Sequence, residues 1–409
     1  MNICNISSEY IDCDIVNILL YCDDIVLLTE NEDDLQFLLQ IVERWCRHWQ
    51  LDVNLTKTDI LHVRNKRKSQ SWFVFLFNNR PVNYCSNYKY LGITLNCHLD
   101  YNYTTDILTD SAGRALGSIV CKMIKNQGFS YPVYTKLIDA CVNYIADYAG
   151  EVIGYKSYIS TEKLYLRGAR AFIGLPKTAP THGIIAEINW LLPEFRKQIK
   201  MIRFYSRLQK LDSSRILKRV YLWDQHLNDY SFVNTWSSEV KQIFVDINQP
   251  EMFYNICNQP VKCFIDNLKA LILFEQQNRL MISCQTFPKL RTFVELKNFH
   301  LASPCLTLPL SFTKRSLITK ARLGILPLRL ETGRYARPCI PADERLCLVC
   351  SNPNKEVECI YHTLFSCYLY VEERKVWWSK LLLSENFIFL MKNQQLTELK
   401  IQQHLFWFV

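Results

Sequence analysis

A chain of 409 residues, 49% hydrophobic and 21% charged, has the length for two or three domains and the apolar content for a large buried core, which excludes wholesale disorder. Its 48 basic against 39 acidic residues leave a net charge of +9, an excess compatible with nucleic acid but too mild to require it. Seventeen cysteines scattered along a chain whose start, MNICNISSEY, has no basic and apolar leader argue against a secreted disulfide framework. They point instead to reduced thiols in nucleus or cytoplasm, and no apolar run reaches the roughly 18 residues of a membrane span.

Taken in chain order, Asp12 and Asp14 form a polar approach to two apolar runs, Ile18 to Tyr21 and Ile25 to Leu28. Each run has the length and residue types of a mostly buried strand, so Asp23 and Asp24 fall at the turn between them. Two carboxylates held there repel each other and lose hydration, and a bound divalent cation relieves both penalties. Asp-Asp pairs also occur in ordinary solvated turns. Leu35, Leu38, Leu39, Val42, Trp45 and Trp49 recur at spacings of three and four, which predicts a helix with that face in the core. Leu51, Val53 and Leu55 alternate as a strand ending near Lys57, a cation that suits a triphosphate or merely a solvated strand end. Arg64 to Lys68 reads as a solvated turn.

Beyond Leu95 the pattern turns helical, over 104–126, 132–149, 160–174 and 194–220, with Leu108, Ala112, Ala115, Ile119 and Met123 striping the first. The stretch Arg196 to Arg219 holds nine basic residues against the single acid Asp212, with Phe204 and Tyr205 interleaved. Arg203, Arg207 and Lys210 could follow a phosphate backbone, and the alternative is a solvated helix face. Residues 224–300 carry aromatics but few motifs. From Lys314 to Arg337 seven basic residues, Arg322 and Arg334 among them, are opposed only by Glu331. Next comes Cys347-x2-Cys350-x11-His362-x4-Cys367, three thiolates and an imidazole whose spacing suits a tetrahedral zinc. Ordinary buried thiols are the alternative, and Cys359 is a nearby competing ligand.

Several of these pieces stand in a familiar order. Tyr21-Cys22-Asp23-Asp24, the acidic helix start Glu32 to Asp34, Val53-Asn54-Leu55-Thr56-Lys57-Thr58 and Tyr88-Lys89-Tyr90-Leu91-Gly92 resemble the palm of the reverse transcriptases of non-LTR, LINE-type retrotransposons. That family usually has Ala where this chain has Cys22. Arg345, Cys347, Cys350, Glu356, Glu358, His362, Cys367 and Tyr370 are similar to its C-terminal cysteine-histidine segment, so the likeness runs from residue 15 to about 375. The resemblance implies that Asp23 and Asp24 hold Mg²⁺ at the catalytic centre. It further implies that Lys57 meets the triphosphate or protonates pyrophosphate, that Tyr90 sits at the primer end, and that Cys347, Cys350, His362 and Cys367 hold Zn²⁺. The family's first catalytic Asp comes from an earlier palm strand, so the chain is expected to begin in mid-palm.

The resulting expectation is an α+β chain. Residues 1–100 form a partial polymerase palm (β-hairpin plus helices), 101–223 a mainly helical thumb, 224–313 a helical connection, and 314–409 a basic segment with a small zinc-bearing knuckle domain. Its expected function is that of a truncated retrotransposon-derived RNA-directed DNA polymerase, a nucleotidyltransferase inactive alone, whose partners are an RNA template and a DNA primer and not a membrane. The alternatives are a retained nucleic-acid-binding zinc-knuckle protein without catalysis and a pseudogene-like product with no stable function.

Overall fold

The computed structural model describes residues 16–230, 235–254, 261–297, 299, 303–350 and 355–382. Asp12 and Asp14 lie outside them. Among the described residues the fold is α+β, dominated by helices, with four two-stranded sheets. It divides into two compact units, Met1–Asp110 with Leu208–Glu239, and Ser111–Arg207 with Val240–Val409. No helix among the described residues is long and apolar enough to cross a membrane.

In the first unit β1 (Ile18–Tyr21) and β2 (Asp24–Leu27) form the expected hairpin, antiparallel, with Tyr21 opposite Asp24 and Ile18 opposite Leu27. Cys22 enters the turn at φ +54°, a conformation that disfavours any side chain with a Cβ. The expectation of mostly buried strands is not met, since Leu20 is 71% and Tyr21 58% exposed. The physical reason is that this sheet has two strands only, and Leu27 alone of the hairpin packs on the local core.

Helix α1 (Glu32–His48) starts where Asn31 accepts a hydrogen bond from the Asp34 backbone N–H at 2.8 Å, and Glu32, Asp33 and Asp34 complement the helix dipole. Its Leu38, Leu39 and Cys46 are buried, Leu39 against Ile60, Phe75, Phe77 and Val82. Trp45 and Trp49, expected in the core, are 48% and 61% exposed, because neither belongs to the small cluster beneath the helix. The strand expected over 51–55 is also absent. Asn54 there accepts from the Thr56 N–H and hydroxyl while its carbonyl takes the Lys57 N–H, and these local bonds compete with a ladder.

The ladder begins later, as β3 (Asp59–Leu61) pairs in parallel with β6 (Asn83–Cys85). Between them β4 (Leu76–Phe77) and β5 (Arg80–Pro81) make a hairpin through Asn78 and Asn79, both at positive φ as a tight two-residue turn requires. Gln36 of α1 both donates to and accepts from the Leu76 backbone, closing that edge. β7 (Asn87–Tyr90) and β8 (Ile93–Asn96) form the last hairpin, turning at Leu91 and Gly92, again both at positive φ.

The second unit takes in most of the helices. α2 (Tyr101–Lys125) presents Ala112, Ile119 and Met123 to its core as the stripe predicts, with Ala115 partly buried against it, and Leu116, outside the stripe, is buried there too. The helix expected over 132–149 is α3 (Tyr131–Leu137) running through a π-helical turn into α4 (Tyr144–Ala146), followed by α5 (Gly150–Ile153). α6 (Ile159–Ile173) and α7 (Thr181–Ile188) close around Tyr134, whose ring stacks on Phe172 at 4.8 Å and Trp190 at 6.0 Å. The helix expected over 194–220 breaks into α8 (Pro193–Gln209) and, within the first unit, α9 (Ile216–Tyr230), with Asp212 accepting the Ser214 N–H in the turn between.

After α10 (Trp236–Asp246) and α11 (Glu251–Tyr254), the long α12 (Val261–Gln285) bonds through buried Gln276 to Trp190 O and Leu192 N. α13 (Arg291–Leu296), α14 (Pro304–Thr307) and α15 (Phe312–Arg322) add Phe293, Cys305, Leu306 and Ile318 to the same core as Phe172 and Ile184. Gly174 ends α6 at φ +77°, where a Cβ would stand 2.8 Å from that of Ser316 on α15. α16 (Arg329–Thr332) and α17 (Val371–Leu382) complete the described helices.

Inside this unit lies a buried ion cluster. Glu187 of α7 is fully buried and accepts from Arg322 at 3.0 and 3.3 Å, from Ser303 at 2.6 Å and from the Cys305 thiol at 3.1 Å, while Lys297 donates to Ser303 at 3.0 Å. Burial alone would push the Glu187 carboxyl up, and Arg322 and Lys297 together with the Ser303 and Cys305 hydrogen bonds more than offset it, so its pKa ends lowered. Burial pushes the Lys297 ammonium down to about 8 against the pull of Glu187. Arg322, expected to meet nucleic acid, is instead only 3% exposed and committed to this carboxylate.

Replacing Glu187 by Gln leaves two buried cations without their counter-charge, and the expected loss of unfolding free energy in urea titration is about 3–5 kcal/mol. Pairing Glu187→Leu with Arg322→Met is expected to recover most of it. A single variant within about 1 kcal/mol of the parent would show that the cluster is not a stabilising junction.

Candidate nucleic-acid and metal sites

The first site is built on the β1–β2 hairpin. Asp23 occupies the turn and Asp24 opens β2, and both side chains are exposed. Tyr88 of β7 donates its hydroxyl to the Lys57 carbonyl at 3.2 Å. Burial first, then the Asp24 carboxylate, raises the pKa of that phenol, which puts Asp24 within electrostatic range of β7. The Tyr88 bond thereby ties the turn carrying Lys57 to the β7–β8 hairpin. Lys57 is exposed there, and Tyr90, two residues along the strand from Tyr88, lies on the same face and is half-buried. Tyr88 was not singled out by the sequence reading, although the period-two spacing from Tyr90 was its available signal.

The basic stretch divides by role. Arg196 forks onto Asp147 at 2.7 and 3.3 Å, Lys200 donates to the Asp147 carbonyl, and Lys197 is 1% exposed with its ammonium 4.4 Å from the Tyr158 ring centre. Lys218 caps the end of α8 by donating to the Leu208 and Gln209 carbonyls. These four serve the interior. Arg203 and Arg207 project into solvent from α8, and Lys210 beyond its end is exposed too. Tyr205, interleaved with them in sequence, is buried against Phe253 at 4.9 Å and presents no face to a base. Arg334 is partly exposed and pairs with Glu331 at 3.2 Å.

The third site is the cysteine-histidine cluster. Cys347, Cys350, His362 and Cys367 are all buried, with their ligand atoms within 4.8 Å of one another. The Cys367 sulfur lies 3.9 Å from those of Cys347 and Cys350, and Cys350 Sγ lies 3.4 Å from His362 Nε2. A tetrahedral zinc with bonds of about 2.3 Å to sulfur sets its ligand sulfurs roughly 3.8 Å apart, so the donor set fits that ion. His362 turns its other nitrogen, Nδ1, to Glu356 at 2.9 Å, the carboxylate contact that orients metal-binding imidazoles.

Burial works to raise the Cys347 thiol, but the backbone N–H groups of Cys350 and Val349 and the His362 ring outweigh it and hold the pKa down to about 7. Burial pushes Cys367 up to about 11. Cys359 stays outside the set, its sulfur taking the His362 N–H at 3.4 Å. A bridge between Leu346 and Val357 and the bond from Cys347 N–H to the Glu356 carbonyl hold the two halves of the knuckle together. Among the described residues no other group of three or more metal-capable side chains converges, so Asp23 and Asp24 are joined by no third ligand there.

With this geometry in hand, comparison with known proteins yields one family. No curated protein and no solved structure matches the chain. A family model described as "Reverse transcriptase (RNA-dependent DNA polymerase)" matches residues 3–95, the span that holds the Asp23–Asp24 hairpin, α1, the Lys57 turn and most of the β7–β8 hairpin. The match supports a reverse transcriptase as the source of this part of the chain, with RNA and DNA as the substrates such a domain implies.

Proposed function

We propose that this chain belongs to an RNA-directed DNA polymerase of a non-LTR, LINE-type retrotransposon, with a palm segment, a helical thumb and a zinc-bearing C-terminal knuckle. The observation that carries the reading is that the Asp23–Asp24 hairpin and the Lys57 turn bonded to the Tyr88–Tyr90 strand all lie inside the matched span. Asp23 and Asp24 are the residues that would hold Mg²⁺, which supplies charge stabilisation to the attacking and leaving oxygens of nucleotidyl transfer. Lys57 would place its cation at the pyrophosphate, and Tyr90 would support the primer end. Among the described residues no further carboxylate joins that pair, and two-metal transfer needs ligands from a second palm strand.

A second reading, nucleic-acid binding without catalysis, is favoured by one observation. The Cys347, Cys350, His362 and Cys367 donors are already at zinc spacing with Glu356 behind the imidazole, independently of the hairpin. That centre would hold Zn²⁺ as a structural ion, with all four positions taken by protein.

The purified chain is expected to carry about one tightly held zinc. Changing Cys347 and Cys350 to Ser is expected to release it and lower the melting temperature, by elemental analysis and calorimetry. Metal-free protein with unchanged melting counts against the site.

The 409-residue chain alone is expected to extend no DNA primer on an RNA template with Mg²⁺ or Mn²⁺. Adding a matched polypeptide that carries the remaining palm carboxylate and the fingers is expected to restore extension, and Asp23→Asn to abolish it. Robust extension by the isolated chain, lost in Asp23→Asn, overturns the argument from ligand count.

Binding to single-stranded RNA or DNA is expected to be salt-sensitive, with a log–log slope of about −0.7 for each phosphate neutralised. Charge reversal at Arg203, Arg207 and Lys210 is expected to weaken it and flatten the slope. Affinity indifferent to salt speaks against backbone recognition.

A further inference from the structure

The segment around Glu331 collects cations that are far apart in sequence. Glu331 is buried and receives Arg291 of α13 at 2.7 Å on one oxygen and Arg334 at 3.2 Å on the other. Two guanidinium groups on one carboxylate leave a net positive charge with unused N–H donors, and Arg291 keeps 40% of its side-chain surface in solvent. Beside them Lys289 donates to the Tyr335 hydroxyl at 2.6 Å, and its ammonium sits 5.2 Å from the centre of that ring. The ring is therefore held at its polar tip while 68% of the residue stays exposed. Arg337, two residues on, is exposed as well.

A single exposed ring needs no explanation by itself, but this one is tethered by a lysine and stands among three arginines. Its surroundings argue against a protein partner with an apolar face, since four cations against one carboxylate would have to be desolvated there. They suit a ligand that brings alternating negative charges and flat π-faces. Single-stranded nucleic acid has both, and only an unstacked base can offer its face to the ring.

We infer that Tyr335, tethered by Lys289 and flanked by Arg291, Arg334 and Arg337, is a stacking platform for one unpaired base of a single-stranded nucleic acid. The arginines take the adjoining phosphates. The inference rests on the nucleic-acid reading above and adds to it a residue-level site. The platform is also wired to the cysteine-histidine module. Arg345, two residues before Cys347, donates to the Leu330 and Ile340 carbonyls on either side of the platform segment, and the Leu330 N–H bonds to the Glu358 carbonyl. Tyr361, next to His362, donates to Glu295 of α13 at 2.8 Å. A metal that orders the module thus also fixes the ring.

The test is fluorescence anisotropy of the full chain with one labelled oligonucleotide sequence presented as single-stranded RNA, single-stranded DNA and duplex DNA. Tyr335→Ala is expected to weaken both single-stranded forms about 10-fold and to leave the duplex unchanged, because stacking on an aromatic ring is lost only where bases are free. Tyr335→Phe, which keeps the ring, is expected to stay near the parent. Arg291→Gln and Arg334→Gln are expected to flatten the salt dependence. Photo-crosslinking of a 4-thiouridine oligonucleotide to the unaltered chain needs no variant to fold, and an adduct within residues 333–337 is expected. Adducts found only elsewhere, or Tyr335→Ala binding all three forms as the parent does while reversal at Arg203, Arg207 and Lys210 weakens binding, overturn the platform alone. A parent chain that binds no oligonucleotide at low salt overturns the proposed function with it.

Discussion

A single buried carboxylate, Glu187, is the junction on which the second unit depends. It draws Arg322 from α15, Ser303, Cys305 and, through Ser303, Lys297 onto the end of α7, joining elements more than a hundred residues apart. A carboxylate this deep persists only because each of its lone pairs finds a donor and a full positive charge stands beside it. The junction then fixes what packs around it. The Arg322 guanidinium lies 5.6 Å from the Phe293 ring centre, and α13, which carries Phe293, also carries Arg291 to Glu331 and receives Tyr361 from the cysteine-histidine module.

Positive charge in this chain therefore has two uses that look alike in the sequence. Arg322, Arg196 and Lys197 are interior groups, neutralised by Glu187 or Asp147 or stacked on Tyr158. Arg203, Arg207 and Lys210 face solvent and remain available to a polyanion. A linear count of basic residues merges the two groups. What separates them is whether a carboxylate or an aromatic ring arrives from another helix.

The first unit has a related asymmetry. Its core, around Leu39, Phe75 and Phe77, is small, and the strands that bear Asp23 and Asp24 lie largely outside it. Leu20 and Tyr21 stay exposed on a two-stranded sheet. The same geometry leaves Asp23 and Asp24 on one hairpin.

Local pattern was enough for much of this. The Asp-Asp turn, the acidic α1 start at Glu32 to Asp34, most of the stripe of α2 and the four metal-capable side chains were legible in the sequence, because each depends on neighbours a few positions away or on two short motifs. The strand over 51–55 misled because Asn54 has a local hydrogen-bonding choice that alternation does not register. Trp45, Trp49 and the apolar runs beside Asp23 misled because burial requires a second layer, and the helix period says nothing about how far that layer extends. Arg322 misled because its partner, Glu187, lies 135 residues away. By itself, then, the sequence determined which residues could turn, ligate or carry charge. Only the tertiary structure decided which cations stay free, which ring is held open at Tyr335 and which carboxylate stands behind His362, since those outcomes depend on long-range pairings that no local rule encodes.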